Sequence, residues 1–147
     1  MNLAVGSEIP AFVRTTGLAN WNRFAAVNDE FIPIHMDDDA GKAAGMGAAF
    51  GMGNLLWSYL TAMLRDWMGG DGRIVSMACE FRSPNLKGQI VEARGRITAV
   101  RGEGRESLVD LDVWAAAGDT LLAPGTATVA FRRRHEQTSE PLEVATR

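Results

Sequence analysis

Residues 50–68 read FGMGNLLWSYLTAMLRDWM and form the most apolar stretch of the sequence. Apolar side chains recur in it at the i, i+3, i+4, i+7 spacing of an amphipathic helix, without a miss. These side chains are Met52, Leu55, Leu56, Tyr59, Leu60, Met63, Leu64 and Trp67. Trp57 and Met68 widen the apolar stripe, so we expect a helix that is buried on more than one side. The Gly-Gly-Asp-Gly run at residues 69–72 ends it, because clustered glycines break helices.

The hydrophobic pattern changes to a period of two after this helix. Alternation of apolar and polar residues covers four segments, near residues 74–81, 91–99, 108–114 and 126–131, and is typical of half-buried strands. An antiparallel sheet with one buried face needs a cover, and the helix at residues 50–68 is the only segment large enough. The pattern therefore predicts an α+β domain with a sheet curled around one central helix. Such a sheet leaves open edges, which favours pairing with a second copy of the chain.

Shorter elements precede the central helix. Residues 8–15 read as a short strand that Pro10 restricts to a sheet edge. Thr16 is suited to cap a helix over residues 18–27. Three aspartates at residues 37–39 open a short helix that ends near Gly45.

Composition limits the functional classes. The chain has 147 residues, of which 46% are hydrophobic and 22% charged, with a net charge of −3. We predict one domain over residues 1–134, a polar tail over residues 135–147 that is expected to be disordered, and no basic surface for nucleic acid. A single cysteine favours a reducing compartment, and the absence of a membrane span or a signal sequence predicts a cytoplasmic protein.

His35 is the first candidate for chemistry. Glu30 and Asp29 stand five and six residues before it, and Pro33 fixes the intervening turn. A histidine and a carboxylate on one rigid loop suit general acid–base catalysis at neutral pH. Spacing alone favours a structural or solvated histidine, so both interpretations stay open on this ground.

The glycine-rich start of the central helix is the second candidate. Glycines at positions 45, 47, 51 and 53 let a substrate approach the backbone, and free N–H groups at a helix start can stabilise a developing oxyanion. The alternative is that these glycines permit tight packing between helix and sheet.

Three motifs, in this order, resemble those of the MaoC-like hydratases, also called R-specific enoyl-CoA hydratases. The motifs are EFIPIHMD at residues 30–37, FGM at residues 50–52 and FRSPNLKGQ at residues 81–89. The family patterns are Asp-Phe-Asn-Pro-Ile/Leu-His-x-Asp, His-Gly-Met and Phe-x-x-Pro-x-x-x-Gly-Asp. The resemblance covers residues 21–131 and implies the hot-dog fold, a sheet wrapped around one helix.

The resemblance also implies a reaction. An R-specific hydratase adds water across a trans-2-enoyl thioester of coenzyme A, and the reverse reaction dehydrates a 3-hydroxyacyl-CoA. His35 would activate the water, Glu30 or Asp29 would deliver the proton to C2, and the Gly51 N–H would hold the thioester oxygen. Phe50, Met52 and Trp57 would contact the substrate, although a helix stripe that includes Trp57 is more often core. No metal and no cofactor is implied beyond the coenzyme A of the acyl-CoA substrate.

Departures from the family motifs keep alternatives open. Glu30 stands at the family's aspartate, Phe50 at its second histidine and Gln89 at its final aspartate. The chain can therefore be a non-catalytic partner subunit of a heteromeric hydratase rather than an enzyme that acts alone. A hot-dog thioesterase is a further alternative. Such enzymes commonly place a catalytic carboxylate early in the central helix, whereas the first acidic residue of this helix is Asp66, near its end. We expect a homodimer or higher homo-oligomer, or such a heteromer; the acyl group, fatty or steroid-like, is left open.

Overall fold

The computed structural model describes residues 3–103 and 105–132. The predicted tail at residues 135–147 and the predicted domain end lie outside this range. The elements in chain order are β1 (Glu8–Thr15), α1 (Leu18–Asn28), a 3₁₀-helix (Pro33–His35), α2 (Asp38–Ala43), β2 (Phe50–Gly51), α3 (Gly53–Met68), β3 (Gly72–Cys79), β4 (Asn85–Leu86), β5 (Ile90–Glu103), β6 (Glu106–Ala117) and β7 (Thr120–Arg132).

Five strands form one antiparallel sheet in the order β1-β5-β6-β7-β3. The three long strands β5, β6 and β7 follow one another in sequence and are neighbours in the sheet. The edges of this sheet are β1 and β3, and Pro10 lies on an edge strand, as its missing N–H requires. The short strands β2 and β4 pair separately, with Phe50 opposite Leu86 and Gly51 opposite Asn85.

Helix α3 supplies the centre of the core. Its buried side chains are Leu55, Leu56, Tyr59, Leu60, Met63, Leu64 and Met68. They pack in one cluster with buried residues of the sheet, among them Val91, Ile97, Leu111 and Val129. Burial of a large apolar side chain contributes about 1.5–3 kcal/mol, so these seven side chains contribute substantially to the stability of the domain. The predicted α+β architecture with a sheet around one helix is confirmed.

Three local predictions need correction. The central helix begins at Gly53, because Phe50 and Gly51 pair with β4 instead. Thr16 does not cap α1: Gly17 holds that position, and the Thr16 hydroxyl donates instead to the Gln89 carbonyl at 3.1 Å. The alternation predicted near residues 74–81 puts Val75 on one face with Met77 and Cys79, yet Val75 is 46% exposed because the pairing of β3 with β7 shifts register between Ile74 and Ser76.

The segment between β1 and α3 covers the start of the central helix. Trp21 and Ala25 of α1 are fully buried against the core. The α2 helix lies so close to the loop before β2 that Gly41 has no room for a side chain. A Cβ added there would overlap the Ala48 carbonyl oxygen and would lie 2.5 Å from the Ala49 nitrogen. Since both neighbours are backbone atoms, neither can move aside without shifting the loop.

We expect Gly41→Ala to destabilise the fold despite the better helix propensity of alanine. Overpacking of this kind costs about 1–3 kcal/mol, which exceeds the gain of about 1 kcal/mol from replacing a helical glycine. Chemical denaturation measures the unfolding free energy. Gly70→Ala is the matched control, because a Cβ at Gly70 meets nothing within 4 Å. Equal stability of the two variants would contradict the close approach of α2 to this loop.

Candidate active site

His35 ends the 3₁₀-helix that Pro33 begins. The turn is closed by backbone hydrogen bonds from Met36 and Asp37 to the Pro33 carbonyl, at 3.0 and 2.9 Å. This turn aims the half-buried imidazole at β2. The ring packs edge-on against the Phe50 ring, with centroids 5.0 Å apart and planes at 83°.

A hydrogen bond to the backbone of β2 fixes which nitrogen of the neutral His35 ring carries the hydrogen. His35 Nδ1 lies 2.8 Å from the Phe50 carbonyl oxygen. A carbonyl oxygen only accepts, so Nδ1 carries the hydrogen and donates it. In the neutral ring the lone pair is therefore on Nε2, where it can accept a proton from a water or a substrate.

An open cleft of about 240 Å³ lies beside the imidazole. It is bounded by the start of α3, by β2 and by the segment that runs from β3 to β4. The lining residues are His35, Phe50, Gly51, Gly53, Leu56, Phe81, Arg82, Ser83, Pro84 and Asn85. The Phe81 ring lies against α3, since a Cβ added at Gly53 would be 2.6 Å from it. The cleft thus has a mostly apolar wall with a histidine and backbone amides along it.

Gly51 lies in β2, two residues before the first turn of α3, and it is buried. A Cβ there would be 2.8 Å from Asn85 Oδ1 and 2.8 Å from Trp21 Nε1. Both neighbours are buried, so the position accepts a glycine and little else. The tight fit fixes the backbone of Gly51 on the wall of the cleft.

A polar network that the sequence does not reveal supports β4. Asn85 is 1% exposed, and its amide nitrogen donates to the Thr16 hydroxyl at 2.9 Å and to Gln89 Oε1 at 3.2 Å. The same Gln89 oxygen accepts from the Leu86 N–H at 2.8 Å. Trp21 Nε1, next to Gly51, is buried and has no hydrogen-bond partner within the described residues. The two sides of this network are 69 residues apart in sequence, so no local motif announces it.

The two candidate carboxylates do not reach the cleft in this structure. Asp29 ends α1 with a left-handed φ of 52° and is exposed, and Glu30 follows it with its N–H bonded to the Ala25 carbonyl at 3.0 Å. Across residues 3–103 and 105–132, no hydrogen bond or ion pair joins either carboxylate to His35. The structure therefore brings His35, Phe50 and Gly51 together, without an acidic partner.

The two remaining residues that were predicted to contact the substrate lie outside the cleft. Met52 is 2% exposed and belongs to the core, and Trp57 is 38% exposed on α3. Neither lines the cleft. In the part of the chain that the structure describes, no cluster of three His, Cys, Asp or Glu side chains is arranged to hold a metal ion.

Asp38 clamps the loop that leads into β2. Both of its carboxylate oxygens accept from Lys87 Nζ, at 2.6 and 2.7 Å, and one also accepts from the Ala49 N–H at 3.1 Å. The hydrogen bond from Lys87, and then that from Ala49, hold the pKa of Asp38 below its ordinary value. Because Ala49 precedes Phe50, this clamp helps to place the carbonyl that orients His35.

Comparison with known proteins identifies the fold. No family model matches the sequence, and no curated protein matches it. Solved structures do match over most of its length. The (R)-hydratase from A. caviae involved in PHA biosynthesis has a TM-score of 0.78 and 25% identity, over 86% of this chain and 96% of that protein.

Two further structures have the same architecture. A chain of the ChsH1-ChsH2 complex from Mycobacterium tuberculosis gives a TM-score of 0.79 at 20% identity, over 88% of this chain and 98% of its own. The MaoC-like dehydratase from Rhodospirillum rubrum gives 0.72 at 17% identity, over 90% and 94%. The protein thus has the hot-dog fold of R-hydratases and MaoC-like dehydratases, and the fold that the motifs implied is confirmed.

In the described part of the chain, no helix is long and apolar enough to cross a membrane.

We expect Asp38→Asn to flatten the acid dependence of stability. The pKa of the folded carboxyl lies below its ordinary value of 3.8. Its stabilising contribution is therefore present above that value and is lost as the pH falls through the lowered pKa. Urea unfolding at about pH 6 and about pH 3 measures the effect: the unfolding free energy of the wild type should fall more between the two than that of the variant.

The matched control for this experiment is Asp66→Asn, which removes an exposed carboxylate from α3. If Asp38→Asn and the wild type lost the same unfolding free energy between the two pH values, the clamp would carry no net stabilisation.

Proposed function

We propose that the protein is a hydro-lyase that adds water across the double bond of a trans-2-enoyl-CoA, and in reverse dehydrates a 3-hydroxyacyl-CoA. The observation that carries this proposal is the 2.8 Å hydrogen bond from His35 Nδ1 to the Phe50 carbonyl. It leaves a basic Nε2 on a half-buried ring at the wall of an open cleft. The motifs around His35 and the fold shared with R-hydratases support the same reaction.

The chemistry assigns one task to each group. His35 Nε2 takes a proton from a water molecule as the water oxygen attacks C3 of the enoyl group. The electron pair of the double bond moves toward the thioester carbonyl, and the Gly51 N–H stabilises the negative charge that develops on its oxygen. A carboxylic acid then donates a proton to C2, and the proton held by His35 passes to the resulting carboxylate, which restores both groups and completes the addition of one water. Phe50, which lines the cleft, is proposed to contact the substrate, whereas Met52, buried just before α3, and Trp57 on α3 lie outside the cleft and take no part in the proposal.

We assign the proton donor to Glu30, which holds the motif position, with Asp29 as its competitor. Glu30 is half-buried, and it follows the left-handed residue that ends α1. The proposal requires the Glu30 side chain, or residues 29–32 as a whole, to move so that the carboxyl reaches the cleft that holds His35. Catalysis requires such positioning to within about 0.5 Å, so substrate binding has to complete the site.

The proposal includes an assembly and a location. The open edges β1 and β3 are suited to pairing, which supports a homodimer or a higher homo-oligomer. The single cysteine supports a cytoplasmic location.

A second candidate function is that of a non-catalytic partner in a heteromeric hydratase. The observation that favours it is the lack of any carboxylate among the lining residues of the His35 cleft. One of the matching structures, ChsH1-ChsH2, is itself a complex of two differently named chains. In this case a second chain would supply the complete acid–base pair, and the present chain would shape the acyl pocket.

We expect the purified chain to hydrate enoyl-CoA and His35→Ala to lose about 10²–10⁴-fold in kcat/KM, since a positioned general base contributes that much. Loss of the enoyl absorbance is followed with crotonyl-CoA and with longer and polycyclic enoyl-CoAs. Glu30→Gln is expected to lose about 10²-fold or more, while Asp29→Asn retains most of the activity. The reverse order would assign the acid to Asp29.

Thermal unfolding of each variant shows whether a loss is chemical, and Asp66→Asn controls for the removal of one charge. Full activity of folded His35→Ala would refute the proposed base. The absence of turnover by the wild-type chain on every substrate would support the partner-subunit function, which predicts that activity appears when the second chain is added.

A further inference from the structure

A second open groove of about 490 Å³ lies between β1, α1 and α3. Its apolar part is formed by Phe24 and Val27 of α1 and by Leu55 of α3, and two arginines, Arg14 and Arg23, flank it. All of its lining residues lie in the described part of the chain, and none of them is acidic. The groove and the His35 cleft have no lining residue in common, so they are separate cavities.

Arg14 is held in place without a carboxylate partner. Its Cζ lies 3.9 Å from the centroid of the Phe12 ring, and Nη1 donates to the Val13 carbonyl at 2.7 Å. A cation over an aromatic face is stabilised by the ring's electrons, so the guanidinium is positioned and keeps other N–H groups available. Within the residues that the structure describes, no ion pair joins Arg14 or Arg23 to a carboxylate.

Tyr59 brings a hydroxyl group to the same place. It is 8% exposed and lines the groove, and its ring packs on the Phe12 ring with centroids 5.5 Å apart. Its hydroxyl forms no hydrogen bond with any described residue. Burial raises the pKa of Tyr59, and the charges of Arg14 and Arg23 partly oppose that rise.

The groove presents a set of hydrogen-bond donors beside an apolar floor. The donors are two guanidinium groups without a carboxylate partner and one phenol without a hydrogen-bond partner among the described residues. Arginine binds carboxylate and phosphate oxygens through its planar N–H groups, and a phenol adds a neutral donor. We infer that this groove binds the anionic group of a small molecule whose remaining part is apolar. Arg14, Arg23 and Tyr59 hold the anion, while Phe24, Val27 and Leu55 contact the apolar part.

The anion can come from two sources that share this chemistry. One is a carboxylate at the end of an aliphatic chain, and the other is a phosphate at the end of such a chain. The site does not depend on the proposed hydration reaction, because it is argued from residues outside the His35 cleft. It is therefore tested by equilibrium binding rather than by turnover.

Isothermal titration calorimetry of the full chain separates the two sources. Decanoate and decyl phosphate are each compared with decanol, which has the same chain and lacks the charge. We expect at least one of the two anions to bind about tenfold or more tightly than decanol. Binding of decanoate indicates a carboxylate source, and binding of decyl phosphate alone indicates a phosphate source.

Variants then assign the site. We expect Arg14→Gln and Arg23→Gln each to raise the Kd of that anion about fivefold, and the double variant about twentyfold. Tyr59→Phe should raise the Kd of that anion about threefold. Arg14→Lys/Arg23→Lys should retain most of the affinity because it keeps both charges. Arg65→Gln is the matched control, since it removes an exposed arginine of α3 that does not line the groove.

Circular dichroism and thermal unfolding show which variants are folded, and Arg23→Gln alone serves if the double variant is not. Folded His35→Ala should bind the anion as the wild type does, which separates this site from the proposed reaction. The inference is wrong if neither anion binds the wild type, if decanol binds as tightly as the two anions, or if folded Arg14→Gln/Arg23→Gln keeps wild-type affinity.

Discussion

The burial of α3 constrains everything else in this fold. Seven of its side chains are buried, and they cover more than half of its circumference. Water must be kept from that surface, so the sheet curls around the helix and α1 covers what the sheet leaves open. The first turn is less enclosed, because Gly53 has no side chain there and Asn54 is exposed. The cleft with His35 is located at this end of the helix, where the core does not need the space.

The elements with strong periodicity could be predicted from sequence, and their ends could not. Residues 53–68 and the long strands were found because a continuous apolar pattern has few other solutions. Phe50 fits the helical pattern as well as its neighbours do, but the backbone there pairs with Leu86, 36 positions further along the chain. Val75 fits the alternation of β3, yet a register shift moves it to the exposed face. In both cases a tertiary hydrogen-bond pattern outweighs the local periodicity.

The site was partly visible in the sequence. His35 and Gly51 stand in short motifs with fixed spacing, and the structure places them on one cleft. The spacing of Asp29 and Glu30 from His35 does not tell in which direction the two carboxylates point. Asp29, the left-handed residue at the end of α1, turns the chain there, and sequence spacing does not encode that turn. The Asp38–Lys87 clamp joins residues 49 positions apart, and the partners of Asn85 are similarly distant, so neither network has a local signal.

The contact of Phe81 with Gly53 separates two properties of the cleft. The ring forms one wall, yet it is 53% exposed and rests on a residue without a side chain. The imidazole is held from another direction, by the carbonyl of β2. Exchange of residue 81 for a smaller or larger one therefore alters the width of the cavity while the basic nitrogen keeps its orientation. Evolution of this scaffold toward bulkier ligands has a route that leaves the imidazole where it is.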